Sequence, residues 1–316
     1  MSQRARWLEA ALNAVPSRVL AWRGRAGVEE SLGAWLDLQL TRVTDPAFGE
    51  GFAEGCPWEG AGPGDYQQRF VSFPGGEALV GIRFLGGSPD FRFVDLVVAR
   101  GVEDPDALAA AGRAALEACA VFAPQAIRVR QAAERTLDPS GWRAEIDQHF
   151  LAGRLDELAK LGEIPAGLRL ESASPEDAWA FTSQVYAAWA EVDPQLAGKV
   201  RPSEVEELRA CHESGVLAFV LFEGQRVGLI GFERSQDAEL VGYLVEEEVI
   251  SLSFRRRGLA SAAQRFAIQT LAERDPGALL YGTIDAANTP SLRTAERVGR
   301  ERVSAYRFLF PPQDAG

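Results

Sequence analysis

From Val249 to Ala272 the chain reads V-I-S-L-S-F-R-R-R-G-L-A-S-A-A-Q-R-F-A-I-Q-T-L-A. The β-branched, apolar segment Val249 to Phe254 predicts a strand. Leu259, Ala263, Phe266, Ala267 and Thr270 recur at helical spacing and predict a helix with one apolar face. Between them lies Arg255-Arg256-Arg257-Gly258. A strand that feeds a basic, glycine-containing turn and then a helix has a definite physical use. The first helical N–H groups have no partner in the helix, and the helix dipole adds partial positive charge there. Such an end holds a phosphate or pyrophosphate. Gly258 lets the backbone approach an anion because no Cβ intrudes. Small Ala260 leaves room, and the arginines add countercharge. The competing reading is a solvated basic turn, so the surrounding pattern has to decide.

That pattern is a repeat. The first half predicts helices over 5–15 and 27–40, then a Gly- and Pro-rich loop between Asp45 and Tyr66. Gly60-Ala61-Gly62-Pro63-Gly64 has no strand before it, so it is not a dinucleotide-binding turn. Strands follow at Arg69 to Phe73 and Ala78 to Phe84, around the hairpin signal Pro74-Gly75-Gly76, and then at Phe91 to Ala99. An Ala-rich helix, Asp106 to Ala120, leads to strands at Ala126 to Val129 and Ile146 to Leu151. The second half runs in the same order, and it ends with the stretch Glu301 to Phe310 as a strand. Each half is read as β-α-α-β-β-β-α-β-α-β. Ile164-Pro165-Ala166-Gly167 marks the boundary, giving domains 1–162 and 163–316.

Composition excludes several classes. The net charge of −12 disfavours a nucleic-acid partner, since phosphate neutralisation needs a basic surface. Three widely spaced cysteines (Cys56, Cys119, Cys211) and two histidines supply neither a disulfide framework nor a zinc site, so no metal is expected. No apolar run approaches the ~20 residues that span a bilayer, and the N-terminus lacks a signal-peptide core. A cytoplasmic protein without a membrane partner, monomer or homodimer, is the expectation.

With these residues in place, the second half resembles the GNAT superfamily of acyl-CoA-dependent N-acyltransferases. Arg255-x-x-Gly258-x-Ala260, after a strand and opening a helix, matches the family's [QR]-x-x-G-x-[GA] pyrophosphate loop. Asn288-x-x-Ser291, with Gly299 eleven positions after Asn288, matches its second motif. The first half keeps the element order but has Arg100-Gly101-Val102-Glu103-Asp104-Pro105-Asp106 at the corresponding turn. Three carboxylates there repel a pyrophosphate, and Pro105 removes a donor. The whole resembles a tandem-GNAT arrangement: two α/β domains, each a mixed, mostly antiparallel sheet flanked by helices, the first a degenerate copy.

The resemblance implies direct attack of a small primary amine on acetyl-CoA. It implies pyrophosphate contacts from Arg255, Arg256, Arg257, Gly258, Leu259, Ala260 and Ser261. It also implies pairing of the pantetheine arm with Ile250, Ser251 and Leu252, and cofactor contacts from Asn288 and Ser291. Asn288 also suits a helix cap. An ammonium must lose its proton before attack, and Glu246-Glu247-Glu248 precedes the turn. Strand alternation places Glu247 opposite its two neighbours. Glu247 is the first choice of base and Glu248 the second. Many family members carry a Tyr seven residues after the Asn as acid; here Ala295 stands there, with Tyr281 and Tyr306 as substitutes. Arg300 replaces the usual aromatic after Gly299. Trp179, Tyr186 and Trp189 are candidates for the acceptor pocket or for plain core. The alternative function is a non-catalytic acyl-CoA-binding module.

Overall fold

The computed structural model describes residues 2–192, 194 and 201–312. Two compact units emerge. The first comprises 1–149 together with 303–316, and the second 150–302.

The first unit opens with helices α1 (Gln3–Asn13), α2 (Ser17–Thr41), α3 (Pro46–Gly55) and α4 (Pro63–Tyr66). Strands β1 (Arg69–Phe73), β2 (Gly76–Phe84) and β3 (Arg92–Arg100) follow, then α5 (Pro105–Ala118), β4 (Ala126–Ala132) and β5 (Arg143–Arg154). The expected leading strand is absent from the described residues here, whose first element is α1. No helix separates β4 from β5 either, so the first half is a shortened copy of the repeat.

The second unit continues through α6 (Leu155–Leu158), β6 (Leu168–Ser172), α7 (Pro175–Val192) and α8 (Val205–Ser214). Then come β7 (Val216–Phe222), β8 (Gln225–Asp237), β9 (Leu240–Ile250), α9 (Leu259–Arg274), β10 (Leu279–Asp285) and α10 (Thr289–Arg297), before β11 (Glu301–Phe310). The β7–β8 hairpin closes on Glu223-Gly224, both at positive φ, as a two-residue turn of the primed type requires.

The division differs from the expected 162/163 boundary at both ends. Residues 150–162 fall in the second unit, and Leu155 and Leu158 are buried in its core. Residues 303–310 of β11 fall in the first unit, where they pair antiparallel with β4 from Ser304↔Ala132 to Leu309↔Ile127. The last strand therefore completes the first unit's sheet.

The pairing pattern repeats in both units. β1–β2 and β2–β3 are antiparallel, and β3–β4 is parallel across α5. In the same order β7–β8 and β8–β9 are antiparallel, and β9–β10 is parallel across α9. A bulge interrupts each third strand. Leu79 pairs with Val98 and Val80 with Leu96, leaving Val97 extra; Gly231 pairs with Glu247 and Phe232 with Val245, leaving Glu246 extra. Both units are thus mixed α/β folds with a mostly antiparallel sheet flanked by helices.

The strands of the second unit are covered on both faces. α9 packs Leu259, Ala263, Ala267 and Ile268 onto Val220, Ile230, Ile250 and Leu280. α7 and α8 pack Val185, Leu208 and Cys211 onto Phe219, Leu229 and Val249 on the other. Thr270, expected on the buried stripe of α9, is exposed, and Leu271 takes its place.

Candidate active site

The site begins where β9 and β10 part. Their parallel ladder runs from Leu279↔Gly242 to Tyr281↔Leu244. At its start Gly242 comes so close to Leu279 that a Cβ would collide with the backbone. Both strands then continue, β9 to Ile250 and β10 to Asp285, and a fork opens between them.

On the other edge β9 stays paired with β8, and this fixes which amides face the fork. Ser251 N–H donates to Val227 O at 2.9 Å. Antiparallel ladders alternate, so Ile250, opposite Gly228, turns its N–H away from β8 and toward the fork. The Ile250 N–H is thus directed into the fork, while the Ser251 amide is engaged with β8. Strand structure ends at Ile250 rather than Phe254, because Leu252–Phe254 folds as a 3-10 turn closed by Phe254 N–H on Ser251 O.

The basic turn follows. Arg256 and Gly258 both adopt positive φ (63° and 74°), and Gly258 caps α9. No side chain caps this helix end. The first helical bond runs from Ala262 N–H to Gly258 O, so the N–H groups of Leu259, Ala260 and Ser261 lack partners within the helix. A Cβ built on Gly258 meets no atom within 4 Å, so the space in front of this end is open. Ser261 turns its hydroxyl back to Gly258 O, and Leu259 is buried in the core.

The arginines divide. Arg255 lays its guanidinium over Trp189 of α7, 3.5 Å from the ring centroid. Arg257 covers Phe254 and donates to Ser253 O.

The first unit supplies an internal contrast at the equivalent turn. Gly101 packs against the Gly75 backbone so closely that a Cβ there would collide with it. Asp104 caps α5 and accepts from Ala107 N–H at 2.8 Å, with Pro105 next. One helix start is open; the other is closed by its own chain.

The acidic run is sorted by the bulge. Glu247 points toward α7 and α8, accepting from Tyr186 Oη (3.1 Å), from Ser203 N–H (3.0 Å) and from Glu248 N–H (3.0 Å). It is 2% exposed, and burial holds its carboxyl above the ordinary range against those donors. Glu248 faces α9 and accepts from Gln264 Nε2 at 2.8 Å; burial raises it too. Strict alternation fails at Glu246. This bulged residue is raised by burial and then by Glu207, Glu233 and Glu247. Tyr186, placed by α7, is itself pushed up by burial and by Glu247.

Other expected residues are placed as follows. Asn288 caps α10, its Oδ1 accepting from Ser291 N–H at 3.3 Å. Ala295 is fully buried with Leu151, Leu292 and Ile284. Tyr281 is buried on β10, and Tyr306 lies in the first unit under Arg128. Tyr186 and Trp189 pack on the α7–α8 core, whereas Trp179 is exposed. Two participants escaped the sequence reading, Gln264 and Ser203. Gln264 was legible as a polar residue between buried alanines; Ser203 gives its main-chain N–H to Glu247 and its hydroxyl to Glu246 O, contacts set by the pairing of distant segments.

Residues 179–299 match the family model described as the acetyltransferase (GNAT) family. The second half of this chain carries a GNAT domain.

Solved structures with similar folds include a GCN5-related N-acetyltransferase from Kribbella flavida, 18% identical over 78% of this chain and 91% of that chain, TM-score 0.45. Another is a GCN5-related N-acetyltransferase from Sphaerobacter thermophilus, 16% identical over 81% and 85%, TM-score 0.49. A third is a tandem GNAT protein from the clavulanic acid biosynthesis pathway, 13% identical over 91% and 97%, TM-score 0.47. These likenesses carry no residue roles across. No curated protein matches the chain. The family match spans the fork, the basic turn and α10, all within the GNAT domain. Among the described residues no group of three or more metal-ligating side chains is present, and no helix is long and apolar enough to cross a membrane.

Proposed function

We propose that the GNAT domain transfers an acyl group from acyl-coenzyme A, with acetyl-CoA as the reference donor, to a primary amine of a small molecule. The observation that carries this reading is the uncapped start of α9 with open space before it, at the end of a strand whose free edge faces a fork. Leu259, Ala260 and Ser261 offer main-chain N–H groups to a diphosphate there, and the helix dipole favours its charge. Arg256 and Arg257 add countercharge, and Arg255 lies on the same turn. Ile250 offers its N–H to the thioester carbonyl, where negative charge develops. Asn288 contributes through α10, which it caps.

Glu247 is the base in this reading. It takes a proton from the amine as the C–N bond forms and the C–S bond breaks. The leaving thiolate, whose conjugate acid has a pKa of ~8.5, takes its proton from solvent. Burial suits Glu247 to the task, because a carboxyl raised toward neutrality accepts a proton more readily. Tyr186 and the Ser203 amide hold it in place. Glu246 and Glu247 together favour a cationic substrate on the α7–α8 side. The first unit has Val97-Val98-Ala99 at the positions equivalent to the acidic run, and a closed α5 start, and in this proposal it binds no acyl-CoA.

A second reading, a non-catalytic acyl-CoA sensor, draws support from Ala295, which is buried where many relatives have an acidic Tyr. Thiol release from acetyl-CoA across a panel of amines separates the two. Turnover that disappears in Glu247→Gln while cofactor affinity persists supports the enzyme; binding without thiol release for any amine supports the sensor.

A further inference from the structure

Glu248 is the carboxylate of the acidic run that the proposed reaction leaves unused, and it stands at a junction. It lies on β9 two residues before Ile250. The two therefore share a side of the strand, about 7 Å apart. Its Oε1 accepts from Gln264 Nε2 of α9 at 2.8 Å. Gln264 comes one helical turn after Ala260, on the same side of the helix. One hydrogen bond thus joins helix and strand, a turn from the open amides of α9 and two residues from the Ile250 N–H. A third element reaches the same place. Arg300, just past the end of α10, lies over Gly282 of β10, its Nη1 3.3 Å from where a Cβ would stand, and its charge acts on Glu248.

The core does not need this bond. Gln264 is fully buried, and its Oε1 has no partner among the described residues. A buried polar atom left unpaired costs free energy, whereas replacing both partners of a buried pair by apolar groups of the same shape is often neutral or stabilising. What apolar groups lack is direction. The face that α9 buries includes three alanines, Ala262, Ala263 and Ala267. Such a smooth face lets a helix shift along its neighbour at little cost, because apolar attraction is non-directional. A hydrogen bond of set length and angle removes that freedom.

The spacing matters for a long ligand. A molecule gripped by its diphosphate at one end and its thioester carbonyl at the other feels the distance between the grips, and either half alone does not. We propose that Gln264 is a positioning residue: through its bond to Glu248 it holds the start of α9 and the Ile250 N–H at the spacing a bound acyl-CoA spans. The proposal rests on the acyl-CoA reading above and adds to it what sets the register of the site.

Calorimetry on the full chain tests it with three probes. Acetyl-CoA spans both grips, ADP carries the diphosphate end alone, and S-acetyl-pantetheine carries the thioester end alone. Gln264→Met keeps the length of the side chain and removes its hydrogen bond. It should weaken acetyl-CoA at least about tenfold, while each half stays within about twofold. With an amine acceptor, kcat should fall for acetyl-CoA and hold for S-acetyl-pantetheine. Glu248→Gln, which leaves Gln264 an acceptor, should keep most of the acetyl-CoA affinity. Circular dichroism checks that the variants fold. Should Gln264→Met not fold, Gln264→Asn, one methylene short of Glu248, takes its place with the same expectation. Failure of both to fold makes the pair a stability element and overturns the proposal. Acetyl-CoA affinity unchanged in a folded variant, or all three ligands weakened alike, overturns it while the unaltered chain's binding of acetyl-CoA keeps the acyl-CoA reading standing. Absence of acetyl-CoA binding by the unaltered chain overturns both.

Discussion

At the residue scale the proposed chemistry turns on Glu247 as base, and its surroundings make definite demands. It accepts three hydrogen bonds and is nearly fully buried. As base it must be ionised, and burial raises its pKa above the ordinary 4.5. The rate should therefore fall as pH drops through that raised value, and a pH–rate profile on the acid limb measures it. Glu247→Gln should lower kcat by ~10²–10⁴ while acyl-CoA affinity stays. Stability carries the opposite sign. Glu246, Glu247 and Glu248 are all raised in the fold, so the stability linked to them is full below 4.5 and lost as pH rises through the folded values. Melting temperature should fall along that window, and less steeply in Glu248→Gln. The acidic run was legible in the sequence. Its sorting was not, because one bulge at Glu246 shifts the alternation and depends on pairing with β8.

At the element scale the proposed binding turns on the helix starts. α9 and α5 follow equivalent bulged strands, yet α9 starts without a side-chain cap while at α5 Asp104 accepts from Ala107 N–H and Pro105 carries no donor. Asp104→Ala should cost about 1 kcal/mol of first-unit stability without creating an acyl-CoA site. Gly258→Ala should cost ~1–2 kcal/mol through its left-handed backbone alone, since a Cβ there meets open space. Thermal melts measure both. The turn and its helix were readable from the strand, glycine and periodicity signals. The length of the strand was not: Val249 to Phe254 is mostly apolar and reads as one strand, but the Ser251 amide turns back to Val227 and the chain folds into a 3-10 turn.

The division of the chain is the lesson at the scale of the whole molecule. The Pro-Gly cluster near residue 165 is a true break in composition, yet the units part at 149/150 and 302/303. No local signal marks those points, since strand pairing between distant segments sets them. A fragment of 163–316 lacks Leu155 and Leu158, both buried in the second unit's core. Each lost leucine costs about 2–5 kcal/mol against a whole-domain stability of roughly 5–15. Circular dichroism should find that fragment unfolded, and 150–302 cooperative on melting. The repeat itself was readable because both halves share the strand–helix–strand order; the missing helix between β4 and β5 in the first half was not, because the stretch between those strands carries no distinctive signal.

Titration of the full chain with acetyl-CoA, followed by calorimetry, bears most directly on the claim that the start of α9 grips the coenzyme's diphosphate. The account predicts one site per chain, abolished by Gly258→Asp and untouched by Asp104→Ala. A second site, or affinity that Gly258→Asp leaves unchanged, contradicts it.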